Sequence, residues 1–178
     1  MRVALALGSK LGDRAELLRS GVASLVSGLL AADPDAGPAV SPVFETDPVG
    51  PAGQDPYLNA VLVAGTSLNA DALLALAAAV ETAHGRVRAE RWGPRTLDVD
   101  ILSLGDVRND DPRITLPHPR AHERAFVLVP WSAVDPGASI PGRGTVADLL
   151  AALPATDRAG VRPRPDVDLG PALRRVAR

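Results

Sequence analysis

The sequence RWGPRTLDVDIL occupies residues 91–102, and its second half alternates strictly between apolar and acidic residues. The apolar positions are Leu97, Val99 and Ile101, and the acidic positions are Asp98 and Asp100. Alternation with a period of two predicts a β-strand, on which successive side chains point to opposite faces. Any sheet that this strand joins must therefore carry both carboxylates on the same face.

The acidic pair favours a metal site, and the residues before it favour an anion. Two neighbouring carboxylates repel each other, and each raises the pKa of the other unless a cation lies between them. Mg²⁺ is bound in proteins by oxygen ligands of this kind. Arg91, Trp92 and Arg95 precede the pair, so the stretch indicates a site that handles phosphate. The alternative is a solvated strand at a sheet edge, where charged side chains prevent aggregation.

Composition argues against several classes of protein. The 178 residues are 46% hydrophobic and 22% charged, which is typical of one globular domain with its own core. A net charge of −2 argues against non-specific binding of nucleic acid. The absence of cysteine excludes disulfides and thiolate metal sites. The N-terminus lacks the apolar region of a signal peptide, and no run approaches the length of a membrane span, so we expect a cytoplasmic protein.

The hydrophobic periodicity predicts the order strand, helix, strand, strand, helix, strand. The strands are predicted at residues 3–7, 39–45, 57–64 and 97–104, and the helices at about 14–31 and 70–84. This is the order of the ferredoxin-like β-α-β-β-α-β core of the α+β class, with an antiparallel sheet and helices on one face. The other face is then left for the active site. Asp13 with Glu16 predicts a capping box, Asn69 an N-cap, and Gly85 a C′ residue.

The C-terminal part is predicted as an addition to this core. Residues 121–134 have a helical apolar face, and residues 145–153 form a short amphipathic helix. Beyond about residue 155 the chain is rich in Pro, Arg and Asp, without a clear core pattern. We therefore expect one domain over residues 1–158 and a loosely held tail over residues 159–178.

Other polar residues each allow two interpretations. Tyr57 and Asn59 fall on one strand face, where they either bind a flat heterocycle or cover apolar surface and meet water. The four arginines between residues 86 and 95 form either an anion clamp or a solvated loop. His118, between two prolines, either contacts a phosphate or is structural. Glu81 lies at the less favourable helix end for a carboxylate, which indicates a cationic partner or a plain surface side chain.

Together these stretches resemble the 6-hydroxymethyl-7,8-dihydropterin pyrophosphokinase family of folate biosynthesis. Residues 91–102 match the central signature of that family almost without departure. Supporting stretches follow in the family's order and spacing: Ala6–Ser9, Glu45–Gly50, Tyr57–Ala60, Gly85–Arg88 and Leu116–Phe126. The resemblance covers roughly residues 1–155.

The resemblance implies transfer of the β,γ-pyrophosphoryl group of ATP to the hydroxymethyl oxygen of the pterin, with release of AMP. Asp98 and Asp100 would hold two Mg²⁺ ions, and Arg86 and Arg95 would join them as catalytic residues. The implied pterin site consists of Thr46, Val49, Tyr57, Asn59, Trp92 and Phe126. The implied ATP site consists of Leu74, Glu81, Arg88, Arg91, Ile101, Arg113, Thr115, His118 and Arg124. We expect a monomer whose partners are ATP and the pterin, without nucleic acid or membrane.

Some positions depart from the family pattern. Lys10 stands where the family usually has Asn, Asp47 replaces a common Pro, and Ala78 replaces a Gln that often contacts ATP. The loop between Arg88 and Arg91 is one residue shorter than in some members and lacks a lysine. None of these positions belongs to the aspartate pair, so we expect activity to persist with altered affinity.

Three rival functions remain open. A ferredoxin-like sheet can bind RNA, but such modules need sheet aromatics and a basic surface, whereas aromatics are 3% of this chain. A two-metal phosphohydrolase or nuclease would use the same aspartates without a pterin. A catalytically inactive pterin binder is suggested by Lys10 and Ala78, although both aspartates and Arg95 are retained.

Overall fold

The computed structural model describes residues 1–47, 56–85, 96–170 and 173. Within them the strands are β1 Arg2–Ser9, β2 Ala39–Val40, β3 Phe44–Thr46, β4 Tyr57–Gly65, β5 Leu97–Leu104, β6 Ser139–Ile140, β7 Gly144–Thr145 and β8 Val161–Pro163. The helices are α1 Arg14–Ala32, α2 Ala70–Ala83, α3 Ala125–Val134, α4 Val146–Ala152 and α5 Ala155–Ala159, with a 3₁₀ turn at Ala121–Glu123. The protein is thus a mixed α/β structure, as the periodicity predicts.

The main sheet has the strand order β5-β1-β4-β3-β8, and all its neighbouring strands are antiparallel. β2 also pairs with β4, while β6 and β7 form a separate hairpin. The single strand predicted at residues 39–45 is therefore two short strands. Ser41 lies between them, where its hydroxyl accepts a hydrogen bond from the Val61 backbone N–H. β5, which carries the aspartates, is an edge strand among the described residues.

The predicted helix ends are confirmed at three positions. The carboxylate of Asp13 accepts a hydrogen bond from the Glu16 N–H at 3.0 Å, which caps the start of α1. The side chain of Asn69 accepts from the Ala72 N–H at 2.9 Å and caps α2. Gly85 follows α2 with a φ of 85°, a left-handed conformation that glycine adopts without strain.

α1 and α2 cover one face of the sheet, called here the first face. Its core consists of buried aliphatic side chains from both layers, among them Leu5, Leu7, Leu58, Leu62, Leu97, Leu18, Val22, Leu25, Leu73 and Val80. Gly21 lets α1 approach the sheet closely, because a Cβ there would lie 2.7 Å from Leu97 Cδ2. The first face is therefore a continuous apolar layer.

α1 corrects one expectation. With 19 residues it is long and apolar enough to cross a membrane by length and composition alone, whereas no run of that length is expected from the sequence. Its apolar side chains Leu18, Val22, Leu25, Val26 and Leu29 are buried against the sheet. A core helix of a globular domain passes the same test of length and composition.

α3 and α4 cover part of the opposite face, called here the second face. Trp131 of α3 is buried against Ala4, Val61, Val63 and Leu102, which alternate with the first-face residues along their strands. The sequence predicts a second face free of helices, and this expectation is wrong for the end of the sheet that α3 covers. Periodicity locates the helix but does not say which face it packs on. Phe126, in the first turn of α3, is 37% exposed.

The C-terminal segment also differs from expectation. β8 pairs with β3, with Val161 opposite Thr46, and extends the sheet. Val167 and Leu169 are buried in the first-face core. The expectation of a loosely held tail is therefore wrong for residues 161–170, because the segment contributes both strand pairing and core side chains.

Candidate active site

A row of residues crosses three strands on the second face. Gly8 of β1 pairs with Asp98 of β5 on one side and with Asn59 of β4 on the other. Two residues earlier on β1, Ala6 pairs with Asp100 of β5 and with Val61 of β4. Leu97, Val99 and Ile101 belong to the first-face core, so both aspartates lie on the second face, as the alternation predicts. The small residues of β1 leave the space between the aspartates and Asn59 unfilled by side chains of that strand.

The amide of Asn59 is held in place from the neighbouring strand. Asn59 Nδ2 donates a hydrogen bond to Thr46 Oγ1 at 2.9 Å, and Asn59 is only 6% exposed. Thr46 pairs with Tyr57, which lies two residues before Asn59 and therefore on the same face. The structure thus brings three of the predicted pterin-site residues together at one end of β4.

The second aspartate, Asp100, is contacted by the segment that leads into α3. Asp100 Oδ2 lies 3.6 Å from Arg124 Nη1 and 4.0 Å from His118 Nε2. Arg124 Cζ lies 5.5 Å from the centroid of the Phe126 ring, and the His118 backbone N–H donates to Leu102 O at 2.9 Å. This last contact ties the segment to β5. Four predicted residues, Asp100, His118, Arg124 and Phe126, are therefore linked through direct contacts.

His118 is held in the neutral form near neutral pH. Burial lowers the pKa of His118 below its ordinary value, and the Arg124 cation lowers it further, although the Asp100 carboxylate opposes them. The Arg120 backbone N–H donates to His118 Nδ1 at 3.2 Å. The proton of the neutral ring therefore belongs on Nε2, the nitrogen that faces Asp100. His118 can donate a hydrogen bond there without adding a charge.

Among the described residues, the ATP candidates Leu74 and Ile101 lie on the first-face side of β5, and Arg113 contacts the start of α2. Ile101 is buried in the first-face core, and Leu74 of α2 packs against that core. Arg113 Nη2 lies 2.6 Å from Asp111 Oδ2 and 3.4 Å from Asp71 Oδ1, in the first turn of α2. Thr115 Oγ1 donates to the Asp111 carbonyl at 3.2 Å. The predicted site residues thus form two groups, on either side of one edge strand.

Glu81 connects the two groups, and the sequence did not reveal how. It is 4% exposed, and its Oε1 accepts a hydrogen bond from the Val99 N–H at 2.9 Å. Val99 lies between the two aspartates on β5, so Glu81 satisfies a backbone donor of the edge strand that carries them. The sequence offered two signals for Glu81, its position near the end of a helix and its place in the implied ATP site, and neither predicts this hydrogen bond.

Comparison with known proteins identifies the family. The family model for 7,8-dihydro-6-hydroxymethylpterin-pyrophosphokinase (HPPK) matches residues 4–136. The chain belongs to the HPPK family. A 2-amino-4-hydroxy-6-hydroxymethyldihydropteridine pyrophosphokinase of Mycobacterium tuberculosis is 44% identical over 94% of this chain and 93% of its own. The enzyme of the same name from Mycobacterium leprae is 46% identical over 90% and 87%, and that from Bacillus subtilis 42% identical over 73% and 75%.

A solved structure supports the fold. Plasmodium falciparum HPPK-DHPS, a triple mutant with pteroate, matches with a TM-score of 0.55 at 12% identity. The match covers 84% of this chain and 42% of that longer one. The resemblance drawn from the sequence motifs is confirmed by the family model and by the curated relatives, and the chain is an enzyme of the HPPK family.

Several residues predicted from the HPPK resemblance lie outside the described part of the chain. They are Val49, Arg86, Arg88, Arg91, Trp92 and Arg95. The described part still contains both aspartates, Thr46, Tyr57, Asn59, Phe126, His118 and Arg124. The described part therefore includes the acidic pair and the groups on both sides of it.

The donor set of the HPPK site fits Mg²⁺. Within residues 1–47, 56–85 and 96–170, no group of three His, Cys, Asp or Glu side chains could form a complete metal cage. Two carboxylates two residues apart on one strand face are instead present. Mg²⁺ is commonly held by one or two carboxylates together with substrate phosphates, rather than by a cage made only of protein. Asp98 and Asp100 are therefore suitable ligands once a nucleotide supplies the other oxygens.

Proposed function

We propose that this enzyme transfers pyrophosphate from ATP to 6-hydroxymethyl-7,8-dihydropterin and releases AMP, a step of folate biosynthesis. The observation that carries the proposal is the row Asp98–Gly8–Asn59 across three neighbouring strands. The β4 end of this row carries a buried amide that suits a heterocycle, and the β5 end carries one member of a carboxylate pair that suits a metal-bound phosphate. The names of the curated relatives agree with this chemistry.

The pterin is proposed to bind at the β3–β4 end of the row. Asn59, held by Thr46, has an amide that can hydrogen-bond the edge of a flat heterocycle. Tyr57 and Phe126 are the aromatic rings available to stack on it. Val49 and Trp92 are assigned to the same pocket on the family resemblance alone.

The triphosphate is proposed to lie along β5, on the side where Arg124 and His118 approach Asp100. Arg124 is close to Asp100, and the neutral His118 presents Nε2–H on the same side. Arg86, Arg88, Arg91 and Arg95 are proposed to complete the phosphate contacts, with Arg86 and Arg95 acting on the transferring group. Leu74, Ile101, Arg113 and Thr115 are proposed to line the nucleoside side of the edge strand. Glu81 is proposed to lie near the nucleotide.

Asp98 and Asp100 are the residues that would hold Mg²⁺, and we propose two ions. Bound Mg²⁺ would neutralise charge on the transferring phosphates, and the chain positions the acceptor and the cations around it. In phosphoryl transfer the protein contributes mainly positioning and electrostatic stabilisation, which is what these fixed side chains can supply.

The finer description of the architecture also belongs to the proposal. We propose a ferredoxin-like core with its active site on the second face, because the strand order and the antiparallel directions agree with it. The proposed pyrophosphokinase domain extends beyond the expected residue 158 to residue 170, because β8 pairs with β3 and Val167 and Leu169 are buried in the first-face core. The enzyme is proposed to act as a cytoplasmic monomer on two small molecules, without nucleic acid or membrane partners.

The test is to incubate the protein with ATP, Mg²⁺ and the hydroxymethyl pterin and to measure AMP. Pterin-dependent AMP release is expected, and Asp98→Asn or Asp100→Asn should lower kcat by about 10³-fold, since several kcal/mol of charge stabilisation is lost. Asp110→Asn is the matched control, because Asp110 is an exposed residue beyond β5. AMP release that ignores the pterin, or release of inorganic phosphate instead, would favour a hydrolase and overturn the proposal.

A further inference from the structure

Lys10 is an unusual buried cation. It is the only lysine in the sequence, and it is 8% exposed. Lysine is almost never buried to this extent unless its ammonium group has a partner, because removing a charge from water is costly. The contacts of the buried Lys10 side chain are therefore expected to contribute to the stability or to the function of its surroundings.

One contact of Lys10 is with an aromatic ring of the proposed pterin site. Lys10 Nζ lies 4.8 Å from the centroid of the Tyr57 ring. The backbone explains the proximity: Lys10 directly follows β1, and the preceding residue, Ser9, pairs with Leu58, the neighbour of Tyr57. A cation within about 6 Å of a ring centroid is attracted by the ring quadrupole, and the attraction grows when water is excluded.

We propose that Lys10 is a positioning residue of the pterin site, which acts on the heterocycle through the ring of Tyr57. The inference rests on the proposed function, and it identifies a residue that deepens the description of that same site. A ring restrained by a buried cation is already ordered before a ligand stacks on it, so less conformational entropy is lost on binding.

The charge of Lys10 can be removed while its volume is nearly kept. Lys10→Met is expected to raise the dissociation constant of the pterin by roughly 2- to 10-fold, the range that corresponds to ordering one additional side chain on binding. The dissociation constant of a non-hydrolysable ATP analogue should change by less than about twofold, because the effect passes through Tyr57. Lys10→Arg, which keeps the charge, should recover most of the pterin affinity.

A double-mutant cycle separates the proposed route from a direct contact between Lys10 and the substrates. Against a Tyr57→Leu background, Lys10→Met should have no further effect on pterin binding, because the ring through which it acts is gone. An equal effect in both backgrounds would overturn the proposal, and so would an effect on the nucleotide alone. Unchanged pterin binding in Lys10→Met would also overturn it.

The composition of the chain allows the contact itself to be observed without any substrate. Tyr57 is the only tyrosine, so selective labelling of lysine and tyrosine gives one side-chain NMR signal set for each. We expect a nuclear Overhauser effect between the Lys10 ε-protons and the Tyr57 ring. Its absence in the folded wild-type protein would overturn the proposal even if Lys10→Met fails to fold. If the contact is present but the wild-type protein neither binds the pterin nor releases AMP, the proposed function has failed while the contact stands.

Discussion

The two faces of the central sheet use the same strands for different purposes. On the first face, β1 and β5 present Leu5, Leu7, Leu97 and Ile101 to the helices α1 and α2. On the second face, the same strands present Ala6, Gly8, Asp98 and Asp100. Large aliphatic side chains therefore alternate with small or acidic ones along one backbone. The difference shows how a stable scaffold can carry a charged site, since the apolar burial that stabilises the sheet lies on the face opposite the repelling carboxylates.

The comparison predicts that first-face substitutions cost stability rather than chemistry. Leu7 is 1% exposed, and Leu7→Ala should lower the free energy of unfolding by about 2–5 kcal/mol, because it removes buried methyl groups and leaves a cavity. Urea denaturation measures this loss. At a temperature where the variant is folded, kcat should stay close to that of the wild type.

The matched second-face variant is Asp98→Asn on the neighbouring strand. Its free energy of unfolding should change by less than about 1 kcal/mol, because the substitution keeps the shape of a partly exposed side chain and removes no apolar burial. A loss of stability in Asp98→Asn equal to that of Leu7→Ala would remove the distinction between the faces.

Substitution of Glu81 should lower both the stability and the activity, because Glu81 belongs to a first-face helix and accepts a hydrogen bond from the backbone between the two aspartates. Glu81→Ala leaves the Val99 N–H without this acceptor, which should cost about 1–3 kcal/mol of stability and lower the activity as well. Glu81→Gln keeps an acceptor oxygen and should retain most of both. Thermal melts and AMP release measure the two quantities on the same samples. If Glu81→Gln is as damaging as Glu81→Ala, the carboxylate charge rather than the hydrogen bond is what matters.

Substitutions at Gly8 test whether the substrate uses the space between Asn59 and Asp98 on the second face. A Cβ at Gly8 would lie 3.5 Å from Asn59 Oδ1, which is an ordinary van der Waals contact, so Gly8→Ala should fold normally. Gly8→Val puts a larger side chain between Asn59 and Asp98 and should lower kcat/KM by about tenfold through misplacement of the substrate. Steady-state kinetics with varied pterin measures the change. Equal kinetics for the Ala and Val variants would show that this space is not used.

The smallest effect on stability is expected for an ion pair at the sheet edge that β8 forms. Arg162 donates two hydrogen bonds to Asp47, at 2.9 and 2.7 Å, and they lower the pKa of Asp47 below its ordinary value. A carboxyl with a lowered pKa stabilises the fold above its unfolded pKa of about 3.9 and loses that contribution as the pH falls through the folded value.

Asp47→Asn should therefore lower the melting temperature slightly at pH 7, and the difference from the wild type should disappear in acid once the pH is below the lowered pKa of Asp47. The difference should also shrink at high salt, because the pair is exposed to solvent. Melting curves at both pH values measure the effect. A difference that grows on acidification would show that Asp47 acts through something other than this pair.

Local sequence patterns predicted much of the scaffold. The period-two alternation of residues 97–102 placed both aspartates on one strand face, and Asp13 and Asn69 marked the starts of α1 and α2. The sequence motifs alone also carry the resemblance to the HPPK family. These features depend on residues within a few positions of one another, and side-chain direction and capping are fixed at that range.

The tertiary structure alone decided which distant residues meet. The packing of α3 on the second face, the pairing of β8 with β3, the hydrogen bond from Val99 to Glu81 and the contact of Lys10 with Tyr57 join segments that are far apart in sequence or belong to different elements. An apolar helical stripe requires a partner but does not specify the face, and a polar side chain requires a hydrogen bond but does not specify the donor. Local chemistry therefore determined what each segment needs, and only the packed fold determined which segment provides it.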